Sequence, residues 1–253
     1  VGVSVAARDE PLHSRARALA AELKLPLSLE GGRGGDFDLL LVVAEDGLGL
    51  RETGRGAPGP VKVRFSEPGG TTRERSSASS RQPIARAVGL KGHRPRVVDA
   101  TAGLGHDTFL LACLGCTVTA IERSPVLGAM LRDALERAAA GRDSEQLVRD
   151  RINLIVGDAR EVLVCLPVED APDVAYLDPM FPPKKKSALP KKEPRLLRRL
   201  VGEDPDAGEL LDIARRVTRR RVVVKRTPHA PPLAPAPTMS YEGKIARYDV
   251  YVT

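Results

Sequence analysis

Three carboxylates and two glycines stand where short apolar segments end, and together they could build a site for a nucleoside. The run Val97-Val98-Asp99-Ala100-Thr101-Ala102-Gly103-Leu104-Gly105-His106-Asp107-Thr108 reads as a strand, a glycine turn and a helix beginning near Asp107. Gly103 and Gly105 would let a ligand approach the backbone, and the helix start offers unpaired N–H groups. Thr108 occupies the third glycine position of GxGxxG, which counts against a dinucleotide. No G-x-x-x-x-G-K-[ST] run occurs, which sets aside a Walker-type NTPase. Glu122, seventeen residues after Gly105 at the end of TVTAIE, is placed to accept both hydroxyls of a ribose. Asp158, directly after INLIVG, suits the exocyclic amine or a ring-edge N–H of adenine. Each acid taken alone reads more simply as a helix N-cap. Taken together they outline a nucleoside pocket with no phosphate cradle.

S-adenosylmethionine (SAM), a nucleoside with an amino-acid tail and a sulfonium charge, fits that outline. A fourth segment sharpens it. Asp178-Pro179-Met180-Phe181-Pro182 follows the apolar VAYL directly and resembles the (Asp/Asn)-Pro-Pro-(Tyr/Phe) tetrapeptide of SAM-dependent amino-methyltransferases. An exocyclic base amine is a weak nucleophile, because its lone pair is delocalised into the ring. A carboxylate (Asp178) and a carbonyl (Pro179) accepting its two N–H bonds favour a pyramidal nitrogen and stabilise its developing charge. Phe181, three positions on, could stack on an extruded base. Lys184, Lys185, Lys186, Lys191, Lys192 and Arg195 come next, and cations at the mouth of a base-modifying pocket suit phosphate contacts.

With DATAGLG, IER, DPMFPPKKKSALPKKE and VVVKR in one order, the sequence resembles the ribosomal RNA small subunit methyltransferase J family, over roughly residues 83–253. The resemblance implies an α/β fold, namely a Rossmann-like class I SAM-dependent methyltransferase sheet with a small N-terminal α/β domain. It implies methyl transfer from SAM to the N2 amine of a guanine in 16S rRNA, with the small ribosomal subunit or its RNA as partner and no metal. Carried over by position, it implies cofactor contacts at His106 and Asp107, Glu122 and Arg123, Asp158 and Ala159, and Asp178, beside Asp99 and the two glycines of the turn. His106 stands where the family usually has arginine, and Asp158-Ala159 where it has a serine pair. TTRERSSASSRQ replaces a basic, glycine-rich loop. Two rival readings remain: an amino-methyltransferase acting on DNA adenine or a protein amide, and a non-catalytic SAM- or RNA-binding ribosome-assembly factor. The retained Asp178 and Phe181 argue against the latter.

The elements that must position these residues divide the chain. Residues 81–253 alternate apolar strands (RVVDA, TVTAIE, INLIVG, VAYLD, RVVVKR) with helical stretches (DTFLLACLG, VLGAMLRDALERAAA, AGELLDIARRVTRR), the pattern of a parallel sheet covered on both faces. The closing ARYDVYVT follows a Pro-rich loop without a crossover helix, which predicts an antiparallel strand at the sheet edge. Residues 1–80 hold a helix over 11–25, strands in DLLLVVA, GLGLRE and VKVRF, and a Ser/Thr/Gly/Arg-rich linker from residue 66. The chain of 253 residues is 42% hydrophobic, which suffices for a sizeable core. Its net charge of +7 is local: residues 179–226 carry fifteen Lys/Arg against six Asp/Glu, which suggests either a polyanion footprint or solvated helix faces. No run approaches the ~18 apolar residues of a membrane span and no secretory signal is visible, so a cytoplasmic protein is expected. Cys113 and Cys116 form a lone CxxC, expected to be buried packing, and the four histidines lack ligand spacing.

Overall fold

The computed structural model describes residues 1–28, 37–65, 82–140, 145–180 and 192–253. The N-terminal part has strand β1 (Val3–Ala7), helix α1 (His13–Leu23), and strands β2 (Leu27–Ser28), β3 (Leu39–Ala44), β4 (Gly47–Glu52) and β5 (Val61–Lys62). They form a five-stranded sheet of order β2-β1-β3-β4-β5, with β1 parallel to β2 and β3 and the remaining pairs antiparallel. β1 and β2 were not foreseen in the sequence. VSVAA is short, and only its place beside the apolar LLLVVA of β3 makes it a strand.

The larger part continues with α2 (Pro83–Ala87), β6 (Arg96–Asp99), α3 (His106–Cys113), β7 (Thr117–Glu122), α4 (Pro125–Ala139), α5 (Glu145–Arg151), β8 (Ile152–Val156), α6 (Ala159–Cys165), β9 (Val174–Leu177), α7 (Lys192–Val201), α8 (Ala207–Val217), β10 (Arg221–Arg226), β11 (Met239–Glu242) and β12 (Arg247–Val252). Their sheet has the order β11-β12-β10-β9-β6-β7-β8. β6 to β10 are parallel; the β-branched, apolar sequences of β6, β7, β9 and β10 suit strands covered on both faces, whereas β8 is the partly exposed edge. This is the expected Rossmann-like arrangement. The chain leaves β6 in one direction for β7 and β8, and in the other for β9 and β10, which opens a crevice at the strand C-termini between β6 and β9.

One expectation is corrected at the far edge. β12 pairs antiparallel with β10, as read, but it is not the edge strand, because β11 pairs with its other side. MSYE is short and mostly polar, so its strand character comes from the hairpin with β12 rather than from its own pattern. The CxxC is corrected too: Cys116 is buried, but Cys113 faces out at the end of α3 while its neighbours Leu111 and Ala112 face in.

Two apolar clusters cover the faces of the larger sheet, one including Ile84, Leu111 and Tyr176, the other Leu163, Leu211 and Tyr251. A third joins the sheets, running from Leu39, Leu41 and Leu50 to Met130 and Leu131 of α4 and Leu196 of α7. Ser124 Oγ caps α4 by accepting from Leu127 N at 3.4 Å, and Pro125 supplies its first turn. Buried Asp133 on α4 then accepts from Leu48 N (3.0 Å), Arg15 (2.6 Å) and Arg137 Nε (3.0 Å), tying the helix to the N-terminal sheet. Gly47 must stay small at this junction, since a Cβ there would lie 2.7 Å from Asp133 Oδ2.

Candidate functional site

The C-terminal ends of β6, β7, β8, β9 and β10 surround a cleft of about 910 Å³, within the roughly 300–1,000 Å³ usual for small-molecule sites. Its floor begins at Asp99, where β6 ends. This carboxylate is buried and turned into its own loop, accepting from Thr101 N (3.2 Å) and Thr108 Oγ1 (2.6 Å). Burial, with the nearby Asp107 and Asp178 charges, pushes its pKa up to about 7 against those two hydrogen bonds.

The two glycines of the turn have different surroundings. Gly103, at φ +55°, has only Thr101 O within reach of an added Cβ, at 3.9 Å, and its open face lines the cleft. Gly105, at φ +74°, is not part of the lining; a Cβ there would strike Leu131 Cδ1 at 2.6 Å and Phe65 Cζ at 3.1 Å. The first glycine keeps space for a ligand and the second keeps the turn seated on its support.

Glu122 closes β7. It accepts from Gly103 N (2.7 Å) and Ser124 N (2.8 Å), so one carboxylate spans the glycine turn and the start of α4. Burial raises its pKa, and the two backbone donors resist. Arg123 lines the cleft, where its guanidinium pairs with Asp204 and Asp206. Asp158 is the N-cap of α6, accepting from Arg160 N at 2.8 Å, and its carboxylate also pairs with the Arg160 guanidinium at 2.6 Å. The N-cap reading of Asp158 and its place on the cleft wall, next to Ala159, are both realised.

Asp178 follows β9 directly. Its backbone N–H donates to Thr101 Oγ1 (2.6 Å), which fastens the end of β9 to the turn after β6. Its Oδ2 pairs with Lys225 Nζ at 2.9 Å, and the same ammonium pairs with Asp107 at 2.7 Å. Tyr176 donates its hydroxyl to Asp107 Oδ2 at 2.6 Å. Desolvation raises the Asp178 pKa, Lys225 pulls it down and Asp107 adds to the rise. Desolvation also works against the Lys225 charge, but the two carboxylates prevail and its pKa is raised. The ammonium therefore stays charged between two acids. Pro179 is buried on the cleft wall, and Met180 N donates to Asp204 Oδ2 at 2.6 Å.

Comparison with known proteins decides the family. Residues 27–253 match the family described as "Putative SAM-dependent methyltransferase". Ribosomal RNA small subunit methyltransferase J of Thioalkalivibrio sulfidiphilus is 49% identical over 99% of this chain and 98% of its own. The protein of the same name from Pseudomonas fluorescens is 46% identical over 98% and 94%, and that of Coxiella burnetii 49% over 94% and 92%.

The chain belongs to the ribosomal RNA small subunit methyltransferase J family.

A solved SAM-dependent methyltransferase from Neisseria gonorrhoeae shares the fold, with a TM-score of 0.70 and 34% identity over 98% of this chain and 95% of that one. SAM is accordingly the cofactor of this methyltransferase J chain, and the cleft fits it. The open cradle at Gly103 admits a ligand against the backbone. Glu122 and Asp158 present carboxylates on the same cleft, a chemistry compatible with hydroxyl and amine donors, and the acids around Asp178 are compatible with a sulfonium and an ammonium.

Phe181, Lys184, Lys185, Lys186 and Lys191 lie outside the described residues. Lys192 opens α7 and lies beside Pro60–Lys62 rather than on the main cleft. Part of the local positive charge is internal: Arg195 pairs with Glu52 (2.5 Å), and Arg199 with Asp38 (2.6 Å) and Glu52 (3.3 Å). With Lys225, held between Asp107 and Asp178, the footprint read from residues 179–226 has at least three of its cations paired within the protein. The sequence reading assigned no role to Lys225, Tyr176, Asp204, Asp206 and Arg160. One signal was available for Lys225, a cation ending an otherwise apolar strand.

Proposed function

We propose that this methyltransferase J chain transfers a methyl group from SAM to the N2 amine of a guanine in the 16S RNA of the small ribosomal subunit. The observation that carries this reading is the pairing of Asp178, the first residue of the Asp-Pro-Met-Phe motif, with Lys225 on the lining of the cleft at the strand C-termini. The names of its relatives support the choice of substrate.

Glu122 would hold the ribose hydroxyls, Asp158 and Ala159 the adenine edge, and the turn from Asp99 to Asp107, with its Gly103 cradle, the amino-acid tail. When bound, the cofactor supplies an electrophilic methyl group carried on a sulfonium. Lys225 engages Oδ2 of Asp178 and favours the ionised carboxylate against the desolvation that raises its pKa. Among the described residues Oδ1 has no hydrogen-bond donor, which leaves it to accept an N–H of the incoming amine. The Pro179 carbonyl accepts the second. As charge develops on the nitrogen, these fixed acceptors stabilise it without reorganising. Phe181 packs on the guanine ring, and Lys184, Lys185, Lys186, Lys191 and Lys192 hold neighbouring phosphates. Residues 1–80 and 81–253 form its two structural units, the first a support for the second.

The test is methyl transfer from labelled SAM to small ribosomal subunits, free 16S rRNA and duplex DNA in parallel, with products digested to nucleosides. N2-methylguanosine from either RNA substrate is the expected product. Label confined to deoxyadenosine or to protein would replace the substrate assignment. SAM binding with no label anywhere would favour a non-catalytic binding protein.

A further inference from the structure

The cleft has two chemically different walls. Over β6, β7 and β8 stand Asp99, Glu122 and Asp158, with Asp204 and Asp206 beside them and Arg123 and Arg160 pairing with the last three. Beyond β9, over β10 and β12, the lining comes from residues 225–246 and includes Lys225, Thr227, His229, Pro231, Ile245 and Ala246, with no carboxylate among them. Carboxylates outnumber Arg123 and Arg160 on the first wall, whereas the second carries Lys225 and Arg226 and no acid, so the second wall is the better face for a nucleic acid backbone and an RNA substrate would reach Asp178 across the tip of the β11–β12 hairpin.

That tip carries an unusual residue for a protein surface. Ile245 is 88% exposed, the most exposed large hydrophobic among the described residues, and yet it borders the cleft. Lys244 beside it is also exposed. The tip is held firmly. Gly243 N donates to Ala246 O at 2.8 Å, closing the turn. Arg247 donates to Pro228 O and Ala230 O, each at 2.9 Å, and pairs with buried Asp249 at 2.8 Å, which locks the hairpin to the loop forming the rest of this wall.

We propose that Ile245 is an apolar wedge that enters the RNA stack in the space vacated by the target guanine, with Lys244 on an adjacent phosphate. The proposal rests on the rRNA reading above and adds to it the residue that stabilises the extruded state. A base reaches Asp178 only after leaving its stack, which costs unstacking energy. A rigid aliphatic side chain that fills the gap recovers part of that cost, as apolar wedges do in proteins that kink nucleic acids. Ile245 would lose its exposure to water in the same step.

Ile245→Ala and Lys244→Ala change exposed residues, so the fold and SAM affinity stay as they are. The substrates are the methylated rRNA segment, mapped with the wild-type enzyme, as a folded stem and as a short unstructured oligoribonucleotide. Ile245→Ala is expected to lower kcat/KM on the folded stem about tenfold or more and to change it less than about twofold on the unstructured strand. Equal rates for wild type and variant on the folded stem would overturn the wedge, and so would an equal loss on both substrates. A wild-type enzyme inactive on small ribosomal subunits as well as on every RNA would instead remove the rRNA reading itself.

Discussion

Lys225 and Asp178 are neighbours by register. β9 and β10 run parallel with Leu177 opposite Val224, and the next residue of each strand brings the ammonium to 2.9 Å from Asp178 Oδ2. The acid that the motif provides and the base that neutralises it thus come from strands more than forty residues apart, aligned by ladder hydrogen bonds. Asp107 joins from the start of α3 and Tyr176 from within β9, so one ammonium organises two carboxylates at the switch point of the sheet.

Asp178→Ala should lower kcat by about 10²–10³-fold, the cost of removing one preorganised acceptor from a developing charge. The Kd for SAM, measured by calorimetry, should move little. Undiminished turnover would take Asp178 out of the reaction.

Lys225→Met should shift the acid limb of the kcat–pH profile to higher pH. Desolvation and Asp107 raise the Asp178 pKa and Lys225 lowers it, so removing the ammonium lets the first two act unopposed. Activity that needs the carboxylate ionised then appears only at higher pH, and Lys225→Arg should restore most of the original limb. A profile that scales down without shifting would mean that Lys225 acts only through the fold.

The strand-end acids were legible because apolar strands of period and length typical of a parallel sheet announce where they stop, and Asp99, Glu122, Asp158 and Asp178 stand at those stops. Lys225 was not, because which strand lies beside which, and in what register, is decided by packing across the whole sheet. Arg123 and Arg160 were half legible: their positions beside the acids could be read, but their pairing with Asp204 and Asp206 depends on the path of the loop before α8. In the N-terminal part, DLLLVVA identified itself, whereas β1 takes its strand character from that neighbour. Charge patterning could place Arg195 and Arg199 at the surface but could not show that they are paired, since their carboxylate partners come from the N-terminal part.

Glu122→Gln should weaken SAM binding about ten- to a hundredfold, as expected for loss of a charged acceptor, with a smaller effect on kcat at saturation. The neutral amide would also hold Gly103 N and Ser124 N less well. Titration calorimetry separates the two effects, and an unchanged Kd would remove the ribose role.

Asp99 makes stability depend on pH. Its folded pKa of about 7 lies above that of an unfolded aspartate, so between about pH 4 and 7 the folded protein keeps a proton that the unfolded chain has lost. Stability from this group is fully present below the unfolded pKa and falls as pH rises towards 7. Asp99→Asn should flatten that slope in denaturant titrations across the range, and an identical slope would show that Asp99 titrates normally.

Asp133→Ala should destabilise the protein by roughly 2–4 kcal/mol, because Leu48 N and two arginines lose a buried acceptor. Urea unfolding measures it. A loss below about 0.5 kcal/mol, the range of ordinary surface changes, would mean that water replaces the carboxylate at the junction.

Phe65 stacks on Phe109 of α3, with ring centroids 4.8 Å apart and an interplanar angle of 20°, and its ring edge closes against Gly105 from below. Positions 65, 105 and 131 therefore share one fixed volume. A side chain gained at the turn must be matched by one lost from the N-terminal segment or from α4, and single changes at any of the three are tolerated less well than compensating pairs. A part of the chain whose described residues lend no atom to the cleft thereby limits which sequences its glycine turn can explore.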